Sequence, residues 1–255
     1  MKIAIIGTGI SGIVVAYLLR KRYELTIYEA NDRAGGHTNT VRLNRSYGDY
    51  DIDTGFIVYN SRTYPNFLKL LRQLDVGWQE TNMGFSVRDD TFDLEYGSES
   101  LLKFFAQKKN LLKGEIYRLI WDILRFNRQS RDLLQKNYES TTLIDYLITE
   151  NYSLGFINHF IIPMGAAIWS CNINQIQNTP ARFFIQFFQN HGILNVTNRV
   201  VWRVIQKGSI NYVNKILGLL NGVVRLNTPV SAIRRLQNGV QVVSKDGETT
   251  YDHVL

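Results

Sequence analysis

Residues 3–29 place a glycine-rich turn between a short apolar run and a helical apolar pattern, and no other stretch of the chain narrows its fold so far. Ile3-Ala4-Ile5-Ile6 is continuously apolar, as a parallel strand buried on both faces requires. Gly7-Thr8-Gly9-Ile10-Ser11-Gly12 follows at once. Ile10, Ile13, Val14, Tyr17 and Leu18 then recur at the offsets of one buried helical face, and the basic cluster Arg20-Lys21-Arg22 suits the negative end of that helix. Leu25-Thr26-Ile27-Tyr28 predicts a second strand, closed by Glu29. The whole is a βαβ unit.

Each glycine of this turn has a physical task. Gly7 permits the tight exit from the strand, Gly9 lets backbone approach a pyrophosphate, and Gly12 lets the helix pack closely on the sheet. The helix start offers unpaired N–H groups and a positive dipole to phosphate. Glu29 lies 17 positions beyond Gly12, near the ~20-residue offset at which an acid meets a ribose hydroxyl. A carboxylate there favours a free 2′-hydroxyl over a 2′-phosphate, which it would repel.

Such a unit serves NAD and FAD alike, so the residues that follow decide between them. Arg33-Ala34-Gly35-Gly36-His37-Thr38 comes next. The pattern E-x3-R-x-GG-x-T behind a nucleotide motif resembles the flavin-containing amine oxidase superfamily, which includes monoamine oxidases, protoporphyrinogen oxidases and phytoene desaturases. The resemblance implies FAD as cofactor, with backbone amides of Gly35 and Gly36 against its pyrophosphate and Arg33 nearby. Two adjacent glycines let a chain run close to an extended phosphate. His37 stands where amine oxidases usually carry Arg; it can donate a hydrogen bond but is a weaker anion partner at neutral pH. Asp51 to Tyr59 matches the superfamily's next flavin-contacting stretch, a strand passing the cofactor, which implies Thr54, Gly55, Phe56 and Ile57 near the flavin. Ser11, Ala30, Asn31 and Thr38 complete the candidate cofactor contacts in this half. The stretches RAGGHTNT, DTGFIVYN, TYPNF, IPMGAAIWS and RLNTPV are similar to one group of bacterial FAD-dependent amine-oxidoreductase-like proteins. That group is related to the N-terminal part of plant cyclopropane fatty acid synthases.

The expected fold is α/β: a Rossmann-like FAD-binding domain of the glutathione-reductase/amine-oxidase type, over 1–80 and 200–255, interrupted by a mostly helical substrate domain over 81–199. Tyr64 to Leu74 predicts a helix with Pro65 in its first turn, and Thr81 to Glu95 a strand pair. Glu115 to Leu134 predicts the longest helix, whose polar stripe Arg118, Asp122, Arg125, Gln129 and Asp132 should face water, with Arg118–Asp122 and Arg128–Asp132 pairs. The basic surplus of Lys103 to Lys136 is read as a solvated helical face in preference to a membrane-facing one. Within Phe156 to Ser170, the resemblance implies that Met164, Ala167, Trp169 and Ser170 border a substrate cavity. Phe183, Phe184, Phe187 and Phe188 read as core. Ser209 should cap a helix running to Leu220. Strands are predicted at 223–227, 230–236 and 240–244, with Asn238-Gly239 and Asp246-Gly247 as tight turns. The resemblance places the backbone of Val230 against the adenine. Asp252 to Leu255 reads as the opening of a further buried strand, and the resemblance implies a longer protein whose second half closes over the flavin.

Composition excludes more than it selects. With 45% hydrophobic and 20% charged residues, the chain is an ordinary globular one. The net charge of +7 comes with no nucleic-acid-binding motif, so nucleic acid is not an expected partner. Cys171 is alone and His37, His159, His191 and His253 are scattered, so neither a disulfide nor a metal site is expected. Phe156 to Trp169, the most apolar segment, is too short and polar for a transmembrane segment. No leader is expected ahead of the first strand, and a cytoplasmic setting is expected. The expected activity is that of an FAD-dependent oxidoreductase moving hydride from a substrate C–H to flavin N5, on a small-molecule amine or a hydrophobic, lipid-like compound. A redox-neutral flavin isomerase or mutase, and a truncated non-catalytic nucleotide-binding relative, are the alternatives. No spacing singles out a catalytic residue.

Overall fold

The structure is a computed structural model describing residues 1–98, 100–135, 141–195, 200–220 and 222–255. It divides into two compact units, Met1–Thr81 with Trp202–Leu255, and Asn82–Val201. The first opens with β1 (Lys2–Ile6), α1 (Ile10–Leu19), β2 (Glu24–Tyr28), β3 (Thr40–Arg45), β4 (Gly48–Asp53), β5 (Tyr59–Asn60), α2 (Pro65–Gln73) and β6 (Trp78–Thr81). The second holds β7 (Ser86–Asp89), β8 (Leu94–Gly97), α3 (Leu101–Phe104), a 3₁₀ turn (Lys108–Leu112), α4 (Gly114–Leu133), α5 (Leu143–Thr149) and α6 (Leu154–Phe156). It continues through a π-helical turn (Ile157–Ile161), α7 (Ile162–Trp169), α8 (Ile173–Gln177) and α9 (Ala181–Asn190). The chain then returns to the first unit with β9 (Trp202–Ile205), α10 (Ile210–Gly218), β10 (Val224–Arg225), β11 (Val230–Leu236), β12 (Gly239–Ser244), β13 (Gly247–Tyr251) and β14 (His253–Val254).

In the first unit a parallel sheet runs in the order β10-β2-β1-β14, with Ile3 opposite Leu25 on one side and His253 on the other. This is the 3-2-1-4 order of a doubly wound sheet. Ile3, Ala4 and Ile5 are buried as the apolar run predicts, whereas Ile6, its last residue, is 38% exposed. One face of the sheet carries α1 and α10, whose Ile13, Ala16, Tyr212, Val213 and Ile216 share a core with Ile5 and Ile27. The other face carries the antiparallel meander β11-β12-β13, where Val242 and Tyr251 pack on Ala4 and Tyr28. The Tyr28 and Tyr251 hydroxyls meet at 2.6 Å.

Two expectations fail in this unit. The buried face of α1 is Ile13, Ala16 and Tyr17, whereas Ile10 and Leu18 are 43% and 65% exposed. The helix is apolar nearly all round, so periodicity alone does not choose its face. Gly12 does: a Cβ there would lie 3.3 Å from Ile5 Cγ2, which marks the line of closest approach to β1. Nor does the Ser209 side chain cap α10. The unforeseen β3–β4 hairpin supplies the cap from its open end. Asp53 accepts the Ser209 backbone N–H at 2.9 and 3.0 Å and the Ser209 hydroxyl at 2.8 Å, while Thr40 Oγ1 accepts the Ile210 N–H at 3.0 Å.

In the second unit the strand pair is β7–β8, later than expected, because Thr81 belongs to β6 and pairs with Trp202 of β9 in the first unit. α4 has the expected length, but Asp122 is fully buried instead of wet. Arg118 Nε donates to its Oδ2 at 3.2 Å, Arg125 Nη2 lies 3.2 Å from Oδ1, and the Ser153 N–H donates to Oδ2 at 3.1 Å. The phenylalanine cluster divides: Phe184 and Phe188 are core and Phe183 is exposed. Lys136 and Arg199, used above as boundaries, lie outside the described residues.

The π-helical turn has an identifiable cause. Pro163 has no N–H to give the carbonyl four residues earlier, that of His159, and its ring would crowd that oxygen. The His159 carbonyl accepts the Tyr96 hydroxyl of β8 at 2.5 Å. Burial pushes the Tyr96 pKa upward, so the phenol keeps its proton and remains a donor. Tyr96→Phe is expected to destabilise the helical unit by about 1–2 kcal/mol through the lost buried hydrogen bond, measured as a lower denaturation midpoint; unchanged stability would mean that the carbonyl finds another donor.

Candidate functional site

The carboxyl ends of β1 and β2 meet the start of α1, and most of the predicted cofactor residues gather there. Gly7 turns the chain at φ +93°, its N–H donating to the Tyr28 carbonyl at 2.7 Å. Gly9 is the N-cap of α1 and has open space where a Cβ would be, whereas a Cβ on Gly12 would stand 2.1 Å from the Gly7 carbonyl oxygen. The turn is therefore closed by close backbone contact beneath Gly12 and open above Gly9. Ser11 lies exposed on the first helical turn. The leading N–H groups of a helix have no partner within it, so this end favours an anion.

The double-glycine segment folds onto that turn. A Cβ on Gly36 would lie 2.8 Å from the Cα of Gly9, and one on Gly35 would lie 2.8 Å from the Thr38 carbonyl. Both residues have positive φ, +118° at Gly35 and +58° at Gly36. Arg33 holds the loop, donating through Nη1 to the Thr38 carbonyl at 3.0 Å. Thr38 turns inward, with its buried hydroxyl 2.6 Å from that of Tyr212. His37 is exposed, and its backbone lies against Gly55, where a Cβ would come within 1.9 Å of the His37 carbonyl. Thr54 and Gly55 follow the end of β4, so the segment expected as a strand is irregular from 54 to 58. Phe56 leaves it to pack against Phe67, ring centroids 5.3 Å apart, and Ile57 is exposed.

Glu29 closes the other side, almost wholly buried at the end of β2. Its Oε1 accepts the N–H and Nδ2 of Asn31, each at 3.0 Å. Its Oε2 accepts the Thr8 N–H at 2.9 Å and also the Thr8 hydroxyl. Burial raises its pKa, but the hydrogen bonds from Thr8 and Asn31 outweigh that, and the carboxyl is held below the ordinary range. Thr228 and Asn227 donate their N–H groups to the carbonyls of Glu29 and Asn31 at 2.7 and 2.8 Å. That pairing brings the start of β11, and so Val230, beside exposed Ala30 and Asn31.

Thr8 went unnoticed in the sequence. It is fully buried, and its hydroxyl also accepts the Gly35 N–H at 3.1 Å, so one side chain ties the first turn, Glu29 and the double-glycine loop together. The only available signal was a hydroxyl residue at a variable position of the glycine motif. The four substrate candidates belong to the second unit. Met164 is core there, Trp169 packs on Phe187 with centroids 4.6 Å apart, and Ala167 and Ser170 are exposed, Ser170 at φ +49°. Among the described residues no cluster of His, Cys, Asp and Glu could hold a metal, and no helix is long and apolar enough to cross a membrane.

The family model for flavin containing amine oxidoreductases matches residues 10–255. A 1-hydroxycarotenoid 3,4-desaturase from Flavobacterium sp. (strain P99-3) is 36% identical over 74 residues, covering 29% of this chain and 14% of the relative. Among solved structures, wild-type putrescine oxidase bound to putrescine is similar at a TM-score of 0.67 and 19% identity, covering 100% of this chain and 57% of the other. A protoporphyrinogen-oxidase-like protein from Exiguobacterium sp. 255-15 is similar at 0.64 and 18%, covering 99% and 58%. These likenesses establish the fold, and the chain spans a little over half the length of these solved structures.

Proposed function

Because the chain belongs to the flavin-containing amine oxidoreductases, whose cofactor is FAD, we propose that residues 7–12, 29–31 and 33–38 hold the FAD dinucleotide and that the whole protein is an FAD-dependent oxidoreductase. The observation carrying this reading is the open space above Gly9, at a helix start, against which Gly36 packs backbone to backbone. No side chain enters that space from Gly9, and the dipole of α1 favours phosphate there. Glu29 suits the ribose beyond it. All four of its acceptor positions are taken, but two of the donors, Thr8 Oγ1 and Asn31 Nδ2, are side chains that can rotate away for sugar hydroxyls. The two backbone donors would keep the carboxylate in place.

The chemistry FAD supplies when bound is acceptance of hydride from a substrate C–H at flavin N5. The chain's own part is to hold the phosphates and ribose, and to present Thr54, Gly55 and Ile57 beside His37 towards the flavin end of the site. The substrate we propose is a small amine or a hydrophobic, lipid-like molecule, a reading supported by the family and by the apolar second unit. Flavin absorbance of the purified protein, and its bleaching by candidate amines or fatty acyl compounds under anaerobic conditions, tests it; protein that fails to take up added FAD would sink it. Glu29→Ala is expected to weaken FAD binding at least tenfold, about 1.5–3 kcal/mol for a charged acceptor. Wild-type affinity in that variant would remove Glu29 as the ribose partner. Because the folded pKa of Glu29 is depressed, its contribution to the folded cradle is present above the unfolded pKa and is lost as pH falls through the folded value.

A further inference from the structure

We propose that the surface formed by the 3₁₀ turn and α4 of the helical unit docks on a membrane surface containing anionic lipid. Successive residues of a helix are rotated by about 100°, so the buried stripe of α4, Ile116, Leu119, Phe126 and Leu133, defines the side towards the core. Tyr117, Trp121 and Leu124 fall on the opposite side. A helix packed by one face ordinarily turns polar residues outward, yet these three are 51%, 61% and 47% exposed. Leu111 and Leu112 of the preceding turn, 51% and 91% exposed, extend the same surface. The Tyr117 hydroxyl, donating to the Leu111 carbonyl at 2.9 Å, ties turn and helix together. Scattered exposed leucines are ordinary, but a tyrosine, a tryptophan and three leucines on one connected surface mark an interaction site.

Charge selects the occupant. Residues 101–135 carry eight Lys and Arg against three Asp and Glu, an excess of five where the whole chain has seven. One of the three acids, Asp122, is on the buried side of α4, where it pairs with Arg118 and Arg125. Lys108 and Lys113 stand at the turn, and Arg118 and Arg128 lie exposed along the helix beside the apolar residues. Aromatic and leucine side chains ringed by cations suit the boundary between anionic headgroups and acyl chains, where long basic side chains reach back to phosphate. Among the described residues no helix is long and apolar enough to cross the bilayer, and the docking proposed is peripheral. The inference does not depend on the flavin chemistry.

Flotation of the protein with vesicles of phosphatidylcholine alone, and with vesicles in which phosphatidylglycerol replaces a third of it, tests the proposal. Binding to the anionic vesicles that weakens with added salt is expected. Leu112→Glu with Trp121→Glu should reduce it at least tenfold while leaving far-UV circular dichroism and melting unchanged, because both side chains are exposed. As a second readout, tryptophan emission should shift to the blue on anionic vesicles in the wild type and lose that shift in Trp121→Phe. Failure to float, equal flotation with neutral vesicles, or flotation indifferent to the glutamates overturns the proposal. So does concentration-dependent self-association that the same glutamates abolish, since a second copy would then be the occupant.

Discussion

Gly12→Ala is expected to leave the protein without flavin and to lower the stability of its nucleotide-binding unit by about 2–3 kcal/mol, the cost of forcing an atom into a filled space. The added Cβ would stand 2.1 Å from the Gly7 carbonyl oxygen and 3.3 Å from Ile5 Cγ2. Neither neighbour can yield cheaply: the Gly7 N–H is bonded to Tyr28, and Ile5 lies in the central strand. Gly9→Ala makes the informative contrast. Gly9 has φ −59° and ψ 171°, which alanine adopts freely, and a Cβ there touches nothing within 4 Å. Its melting temperature should therefore stay near wild type, apart from roughly 1 kcal/mol for a poorer N-cap. Its FAD affinity should fall at least tenfold, because the new methyl enters the space assigned to phosphate. Thermal melting and FAD titration on the two variants separate steric closure from ligand clearance. If Gly9→Ala bound FAD as tightly as wild type, the phosphate would not lie above this turn.

That contrast also shows what the sequence could and could not say. The βαβ unit was legible because its determinants are local: an uninterrupted apolar run, glycines at fixed offsets, and an acid at the end of the next strand. Those positions match β1, α1 and β2 to within a residue or two. A strand does form at His253–Val254 and pairs with β1, but its residues are exposed or half-buried where a buried strand was expected. What stayed hidden depends on partners far along the chain. Ser209 looked like a helix cap because its neighbours said so, but Asp53, 156 positions away, takes that role. Thr8 occupies a position that the glycine motif leaves free, and its importance exists only once Glu29 and Gly35 have been brought to it. The same holds for the outward face of α4. The polar stripe read along that helix says nothing of Tyr117, Trp121 and Leu124, and only packing reveals that they are left uncovered.

Asp122 is the position where this hidden information should have its largest effect on stability. Spacing made it half of an ordinary exposed i,i+4 pair with Arg118, a pair worth a few tenths of a kcal/mol. Burial changes the sign of the argument. A carboxylate withdrawn from water costs several kcal/mol unless it is fully compensated, and here the compensation comes from Arg118, Arg125 and the Ser153 N–H. Arg125 in turn donates to the Asn151 carbonyl at 3.0 Å and lies 4.0 Å from the centre of the Tyr152 ring. The Ser153 side chain caps α6, so the carboxylate anchors the start of the segment that runs through the π-helical turn into α7. Asp122→Ala leaves a largely buried guanidinium without its counter-charge and should destabilise the helical unit by about 3–5 kcal/mol. Asp122→Asn, which can still accept from Ser153, should cost less. Burial raises the Asp122 pKa, but the hydrogen bonds from Ser153 and Arg118 prevail and hold it below the ordinary carboxylate range. With the folded pKa depressed, the stabilisation is complete above the unfolded pKa and disappears as pH falls through the folded value. Urea unfolding of the wild type should therefore weaken on the acid side, and Asp122→Asn should show a flatter dependence across that range. An Asp122→Ala protein with wild-type stability would mean that Arg118 and Arg125 reach water as readily as they reach this carboxylate.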